Sequence, residues 1–267
     1  YISPHRVKAI FSVPIRIIDR EDKKSNWRYR VGSGIVWDSK KRDEWNECKN
    51  KSAFLNSHPP QFKLIESILF SHNRLTLLKE HKHRIRQSSK YWNIPLKMKE
   101  LDRILEDARI SLIDQEKHKI RILVDFKGNI ILDKVLLSNI PIKSSTLLLS
   151  EDHVHSKNRY LYHKTTFRPW YEKAIEAIRI GRCYDTLFVN EKGAITECAY
   201  NNIFIEKDGI LLTPDRRCGL LDGTLKINLI SQKKCEESFL TIDELLQADQ
   251  VFCGNSVRGL VAVEVKF

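Results

Sequence analysis

No run of the 267-residue chain approaches the roughly 18 to 20 apolar residues that span a bilayer, and the N-terminal stretch lacks a signal-peptide pattern. Membrane insertion and secretion are set aside, and a soluble, cytoplasmic protein is expected. The six cysteines, at positions 48, 183, 198, 218, 235 and 253, form no CxxC pair and no metal-ligand spacing. Reduced thiols without a disulfide framework follow. The histidines of HKHR (81–84) and HVH (153–155) have no acidic or cysteine partner at a matching spacing. They read as surface polar positions, and no metal site is expected. Internal repeats and low-complexity tracts are missing, and so is the regular strand-helix-strand rhythm of a doubly wound parallel sheet.

What is present starts with 42% hydrophobic residues, enough for one large domain or two modest ones with real cores. Lys+Arg 46 against Asp+Glu 34 leaves a net charge of +12. That field attracts anions without choosing among nucleic acid, phosphate cofactors and carboxylate substrates. No stacking motif accompanies the charge, so nucleic-acid binding is not expected.

Along residues 1–51 the apolar stretches AIFSVPIRII and YRVGSGIVW predict strands separated by the charged turn DREDKKSN, and KRDEWNECKNKSAFL predicts a helical piece. LNSHPPQ (55–61), with paired prolines and no periodicity, reads as part of a linker over 52–62. Beyond it FKLIESILF and LTLL predict a hairpin, and KEHKHRIRQSSKYW and MKELDRILEDARISLI show helical spacing. KIRILVDF, NIILDKV and STLLLS add strands. These make a small domain over 63–150, followed by a larger one over 151–267 that contains strands YDTLFVN and NNIFIEK. The fold class expected is α/β, of the α+β type.

Within YLYHKTTFRPWYEKAIEAI (160–178), Lys164 follows an apolar and aromatic lead-in and precedes a predicted helix. A lysine alone is ordinarily a surface residue. The second half changes that reading. AITECAYNNIFIEKDGILLTP sets Glu197 just before an apolar strand, and CGLLDGTLKINLI sets Gly223 and Thr224 at a helix start, where free N–H groups and the helix dipole suit a phosphate. ADQVFCGNSVRGLVAV ends a strand in a polar turn at Gly254, Asn255 and Ser256. An amine, a carboxylate and two phosphate-type turns suggest a pyridoxal 5'-phosphate site.

The segments EHKHRIRQSSKYW, YHKTTFR, TECAYNNIFI, GLLDGTLK and GNSVRGLVAV, in this order, resemble the class IV (fold-type IV) pyridoxal-phosphate enzymes over residues 62–267. That family includes branched-chain and D-amino-acid aminotransferases and 4-amino-4-deoxychorismate lyases. The resemblance implies a class IV aminotransferase-like fold, with two domains and the cofactor site between them, and a homodimer acting on a small-molecule substrate. It implies that Lys164 forms the Schiff base and moves the proton as general base and acid. Glu197 would face the pyridine nitrogen, and Arg84 would hold the phosphate with its forked donors. Gly223, the backbone N–H groups of Thr224 and Leu225, and the turn at Asn255 and Ser256 would complete the phosphate cup. Arg121 and Arg168 are candidates for the substrate carboxylates from charge and location.

The first 51 residues carry a second resemblance. VPIRI, YRVGSGIVWDS and EWNECKNK are similar to the C-terminal end of the chorismate-utilizing enzymes, with Arg16, Gly32, Gly34, Glu44 and Glu47 at positions that family uses for chorismate and magnesium. The chain opens on YISPHRV without an initiator methionine, and the segment reads as the remnant of an upstream chorismate-utilizing domain, with no chorismate chemistry of its own. The fusion implies a lyase that converts 4-amino-4-deoxychorismate to 4-aminobenzoate and pyruvate, a step of folate biosynthesis. Pro169 stands where branched-chain aminotransferases carry a tyrosine. The alternatives are an aminotransferase acting on branched-chain or D-amino acids and a catalytically silent binding module.

Overall fold

The computed structural model describes residues 16–55, 60–112, 116–139, 142 and 144–266, and the chain divides into two compact units, Tyr1–Pro60 and Gln61–Phe267. Residues 56–59 of the predicted linker, and the predicted first strand up to residue 15, lie outside the described residues.

The first unit pairs β1 (Arg16–Asp19) with β2 (Arg28–Val31) as an antiparallel hairpin and adds a helix, α1 (Lys41–Ser52). The hairpin turn is closed by Asp22, whose carboxylate accepts from the N–H groups of Lys24 and Ser25. The predicted strand YRVGSGIVW stops at Val31, because the Gly-Ser-Gly that follows finds no ladder partner. Lys51 donates to the Gly32 carbonyl and pairs with Glu47, and Ser39 donates to Glu44. None of the described residues of this unit is buried, and Trp27, Ile35, Val36, Trp37 and Trp45 are all exposed.

The second unit begins with β3 (Leu64–Ser71), β4 (Arg74–Leu75), the helices α2 (Leu78–Tyr91) and α3 (Met98–Ile110), β5 (His118–Val124) and β6 (Ile130–Leu136). The strands form an antiparallel sheet in the order β4-β3-β5-β6. Strand periodicity sets its two faces. Leu64, Ile68 and Phe70 of β3 and Ile120, Ile122 and Val124 of β5 are buried in one core with Ile85 of α2 and Leu101, Leu105 and Ala108 of α3. The intervening β5 residues Lys119 and Arg121 turn to the opposite face, as do Ile65 and Ser67 of β3. The predicted strand LTLL shrinks to the two residues of β4. His72 and Asn73 form the left-handed hairpin turn, and Leu77 adopts φ 52°, which ends the strand and starts the helix.

Next come β7 (Thr146–Leu149), α4 (Glu172–Arg179), β8 (Asp185–Val189), β9 (Ile195–Cys198), β10 (Asn202–Lys207) and β11 (Ile210–Pro214). They are followed by α5 (Thr224–Ser231), β12 (Glu236–Ser238), α6 (Ile242–Leu246), β13 (Gln250–Asn255), β14 (Gly259–Ala262) and β15 (Glu264–Lys266). One sheet has the order β15-β7-β8-β9 and the other β12-β11-β10-β13-β14. β7, grouped by sequence with the strands before it, pairs parallel to β8 and β15 instead. A parallel pair needs a long crossover, and the crossover from β7 to β8 is the segment that carries Lys164 and α4. β8 and β9 are buried at every position, as strands covered on both faces are. Leu147, Leu187, Ile195, Ile203, Leu240 and Cys253 share their core.

Among the described residues no helix is long and apolar enough to cross a membrane, and no cluster of histidine, cysteine or carboxylate side chains could hold a metal ion. All six cysteines are free.

Candidate active site

The second unit encloses a cavity of about 610 Å³. Lys164, Arg84, Glu197, Gly223 and Thr224 line it, together with Asn255, Ser256, Arg121 and Arg168. Residues from both the 63–150 and the 151–267 stretches therefore face the same space.

Lys164 is positioned through its backbone. Its carbonyl accepts from the Ile65 N–H at 2.9 Å, Thr165 bridges to Leu64, and the Thr166 N–H donates to the Lys63 carbonyl at 2.9 Å. The lysine is thus fastened to the start of β3, with its side chain at the cavity wall. Among the described residues its amine has no hydrogen-bond partner. Burial, with the positive charges of Arg84 and Arg168, lowers its pKa to about 7. A lysine so placed is part neutral at neutral pH and can act as a nucleophile or base.

Glu197 lies within the short strand β9, ahead of the apolar strand β10 as expected, and it is buried. The Tyr171 hydroxyl donates to one of its oxygens at 3.1 Å, and the Asn202 side-chain amide approaches the other at 3.5 Å. Burial raises the carboxyl to about 7, against the Leu221 backbone hydrogen bond and the Lys164 charge, which lower it. A cationic ring nitrogen beside it would restore the carboxylate. The turn after Glu197 is pinned by Asp185, a fully buried side chain that accepts from the N–H groups of Thr186, Ala199 and Tyr200 and from the Asn201 amide at 2.7 Å. Burial raises this carboxyl too, to about 6, and those four donors oppose the rise.

The wall formed by Arg84 and the start of α5 is a connected network. Arg84 donates from Nε and Nη2 to the two oxygens of Glu66 at 2.9 and 2.5 Å, and from Nη1 to the Asp222 carbonyl at 3.1 Å. Three of its five N–H donors are engaged, which leaves two for an anion. Glu66 is the one charged residue on the core face of β3. Burial alone would raise its carboxyl, and the Arg84 guanidinium together with the His81 contact brings it down to about 2. His81 corrects the reading of HKHR as surface. It is buried, with Nδ1 2.6 Å from Glu66 and Nε2 3.3 Å from the Thr224 hydroxyl. The helix α2 packs this face onto β3, which the local polarity of the segment hides.

Gly223 caps α5 with no side-chain partner, leaving the first N–H groups of the helix free for an anion. A Cβ at Gly223 would collide with the Asn202 side-chain oxygen, and the Asn202 amide is itself held toward Glu197 and the Leu221 carbonyl, so a larger residue there would disturb both. Leu225 is not part of the cavity wall, and its side chain lies toward Gly254. Asn255 serves the turn itself. Its oxygen accepts from the Val257 and Arg258 N–H groups, and its amide donates to Asn201 at 2.6 Å. Ser256 donates to the Ser67 carbonyl at 3.3 Å. The sequence reading missed Glu66, His81, Tyr171, Asn202 and Asp185. The signal for Glu66 was the alternation in LIESILF, which sets a carboxylate among core positions.

The donor set fits pyridoxal phosphate: an unpartnered amine, a buried carboxylate, a half-engaged arginine fork and an uncapped helix start share one cavity.

Residues 63–265 match the family described as amino-transferase class IV, and residues 1–57 match that of the chorismate binding enzymes. A Schizosaccharomyces pombe protein named "Putative aminodeoxychorismate lyase" is 26% identical over 201 residues, covering 73% of this chain and 86% of that protein. A Thermotoga maritima protein named "Probable branched-chain-amino-acid aminotransferase" is 34% identical over 86 residues, covering 30% of this chain, and the chain spans only 32% of that relative's length. Among solved structures, a "Putative amino-acid aminotransferase" from Mesorhizobium loti superposes with a TM-score of 0.69 at 27% identity, covering 77% of this chain and 100% of that one. A "Putative 4-amino-4-deoxychorismate lyase" from Legionella pneumophila shares the fold, with a TM-score of 0.61 at 23% identity, covering 80% of this chain and 84% of that one.

Proposed function

Because the chain belongs to the class IV aminotransferase family through residues 63–265, we propose that it is a pyridoxal-phosphate enzyme that splits 4-amino-4-deoxychorismate into 4-aminobenzoate and pyruvate. The observation that carries the choice of reaction is the pairing, in one chain, of a chorismate-binding segment with a class IV region. Chorismate chemistry followed by a lyase is a consecutive pair of steps. The likeness to the Schizosaccharomyces pombe protein, over most of both chains, supports the same reading. The described residues of the first unit include no buried one and so form no core that could enclose a substrate. It reads as the end of an upstream chorismate-utilizing domain.

When bound, pyridoxal phosphate supplies an aldehyde that condenses with amines and a ring that takes up electrons. Lys164 would hold it covalently and would serve as the base that removes the proton from the substrate ring carbon bearing the amine. Its depressed pKa suits both tasks. Glu197, oriented by Tyr171 and Asn202, would pair with the pyridine nitrogen and hold a proton there. Arg84 and the α5 start would hold the phosphate. Loss of the enolpyruvyl group leaves an aromatic ring, which makes the step irreversible without an amino acceptor. Pro169 removes a tyrosine of the branched-chain subgroup, and here Tyr171 contacts Glu197 instead.

The second reading, an aminotransferase, is favoured by the names of the Thermotoga maritima and Mesorhizobium loti proteins. An assay separates the two. Aminodeoxychorismate supplied to the holoenzyme should yield 4-aminobenzoate and pyruvate in equal amounts, with D-alanine or leucine converting the cofactor to its amine form slowly or not at all. Rapid conversion by those amino acids, without 4-aminobenzoate, would establish the aminotransferase. In the same assay Glu197→Gln should retain the cofactor but lower turnover by about 30-fold or more, equivalent to a lost charge-assisted contact of about 2 kcal/mol. Unchanged turnover would remove Glu197 from the ring.

A further inference from the structure

The cavity holds more positive charge than a phosphate cradle uses. Lys119 and Arg121 sit two residues apart on β5, so the strand period that buries Ile120 and Ile122 aims both cations at the cavity. Arg168 joins the same wall from the Lys164 segment and Arg258 from the turn between β13 and β14. Arg168 is oriented by one donor, given to the Ala199 carbonyl at 2.9 Å, and by lying over the Tyr200 ring, which leaves its other donors to the cavity.

Among the described residues Lys119 and Arg121 have no carboxylate partner. Asp133 is the cross-strand neighbour of Arg121 on β6 and makes no ion pair with it. Burial, then the charges of Arg121, Arg258 and Arg168, lower the Lys119 pKa, and no acidic group opposes them. Like charges gathered in a half-enclosed space repel, and an anion relieves them. Arg168 is felt by both Lys164 and Lys119. It can serve a carboxylate close to the reacting amine. Lys119 and Arg121 are then left over for a different anion on the same molecule.

We propose that Lys119, acting with Arg121, is the residue that selects for a second carboxylate on the substrate. The inference rests on the reading of the Lys164 cavity as the substrate site, and it does not depend on which bond is broken there. A monocarboxylate would leave the wall uncompensated, and a dicarboxylate would satisfy it.

The test is calorimetric titration of the holoenzyme with two probes that share a ring and cannot react with the cofactor: 3-(carboxymethoxy)benzoate, with two carboxylates, and 3-methoxybenzoate, with one. Lys119→Met should weaken the dicarboxylate about tenfold to a hundredfold, as loss of a hydrogen-bonded charge does, and leave the monocarboxylate within about twofold. Lys119→Arg should recover most of the dicarboxylate affinity. Equal weakening of both probes, or of neither, overturns the assignment. If the Lys119-dependent preference holds while aminodeoxychorismate gives no 4-aminobenzoate, the lyase reading falls and this inference stands. If the lyase turns over and Lys119→Met leaves its KM unchanged, the reverse holds.

Discussion

Replacing Lys164 with alanine should lower turnover on the order of 10⁴-fold or more, because the proposed reaction asks one side chain for both the covalent hold on the cofactor and the proton transfer. Lys164 lines the cavity, its amine has no partner among the described residues, and burial beside Arg84 and Arg168 brings its pKa down to about 7. A lowered lysine pKa means that the neutral, reactive amine gains population as pH rises through about 7 instead of through the ordinary 10.5. Attachment of pyridoxal phosphate to the apoprotein should therefore strengthen with pH across neutrality. The visible absorption band reports it, and borohydride reduction followed by peptide mapping should place the pyridoxyl label on Lys164. A label on another lysine, or attachment that begins only near pH 10, would contradict the assignment.

That much of the site could be read in the sequence, because the chemistry-bearing residues lie in short local patterns. Lys164, Glu197, Gly223 and Thr224 each sit in a segment whose neighbours announce a turn, a strand or a helix start. The same holds for β5, where strict alternation separates Ile120 and Ile122 from Lys119 and Arg121. What could not be read depends on contacts between distant segments. His81 stands in a run of lysines and arginines, and its burial requires knowing that α2 packs on β3. β7 looks like a continuation of the strands before it, and its true partner β8 arrives only after a crossover. Tyr171 lies seven residues past Lys164, and nothing local says that its hydroxyl reaches Glu197. The predicted strand LTLL fails for a local reason of another kind. Leu77 takes a left-handed conformation that leucine seldom adopts.

Glu66 is where the largest structural penalty is expected. Its buried carboxylate receives two N–H donors of Arg84 and the ring of His81, which in turn meets Thr224 at the head of α5. Glu66→Gln keeps the shape and removes the charge. Arg84 is then left nearly buried without a counter-ion, a situation that costs about 3–5 kcal/mol. Linkage gives a similar figure. The carboxyl falls from 4.5 to about 2 on folding, which corresponds to about 3 kcal/mol. Because the folded pKa is the lower one, this stability is present above about pH 4.5 and is lost as pH falls through about 2. The variant should melt about 10 °C lower at neutral pH and should lack that part of the acid-dependent loss. Its affinity for pyridoxal phosphate should fall about a hundredfold, since the arginine fork and the histidine contact to Thr224 both lose their anchor. Thermal melts across pH and a cofactor titration measure the two effects. Removing the orphaned charge as well, in Glu66→Gln with Arg84→Met, should recover part of the melting temperature and none of the cofactor affinity. A variant that melts like the wild type and binds the cofactor as tightly would show that the Glu66, Arg84 and His81 network does not hold the phosphate end of the site.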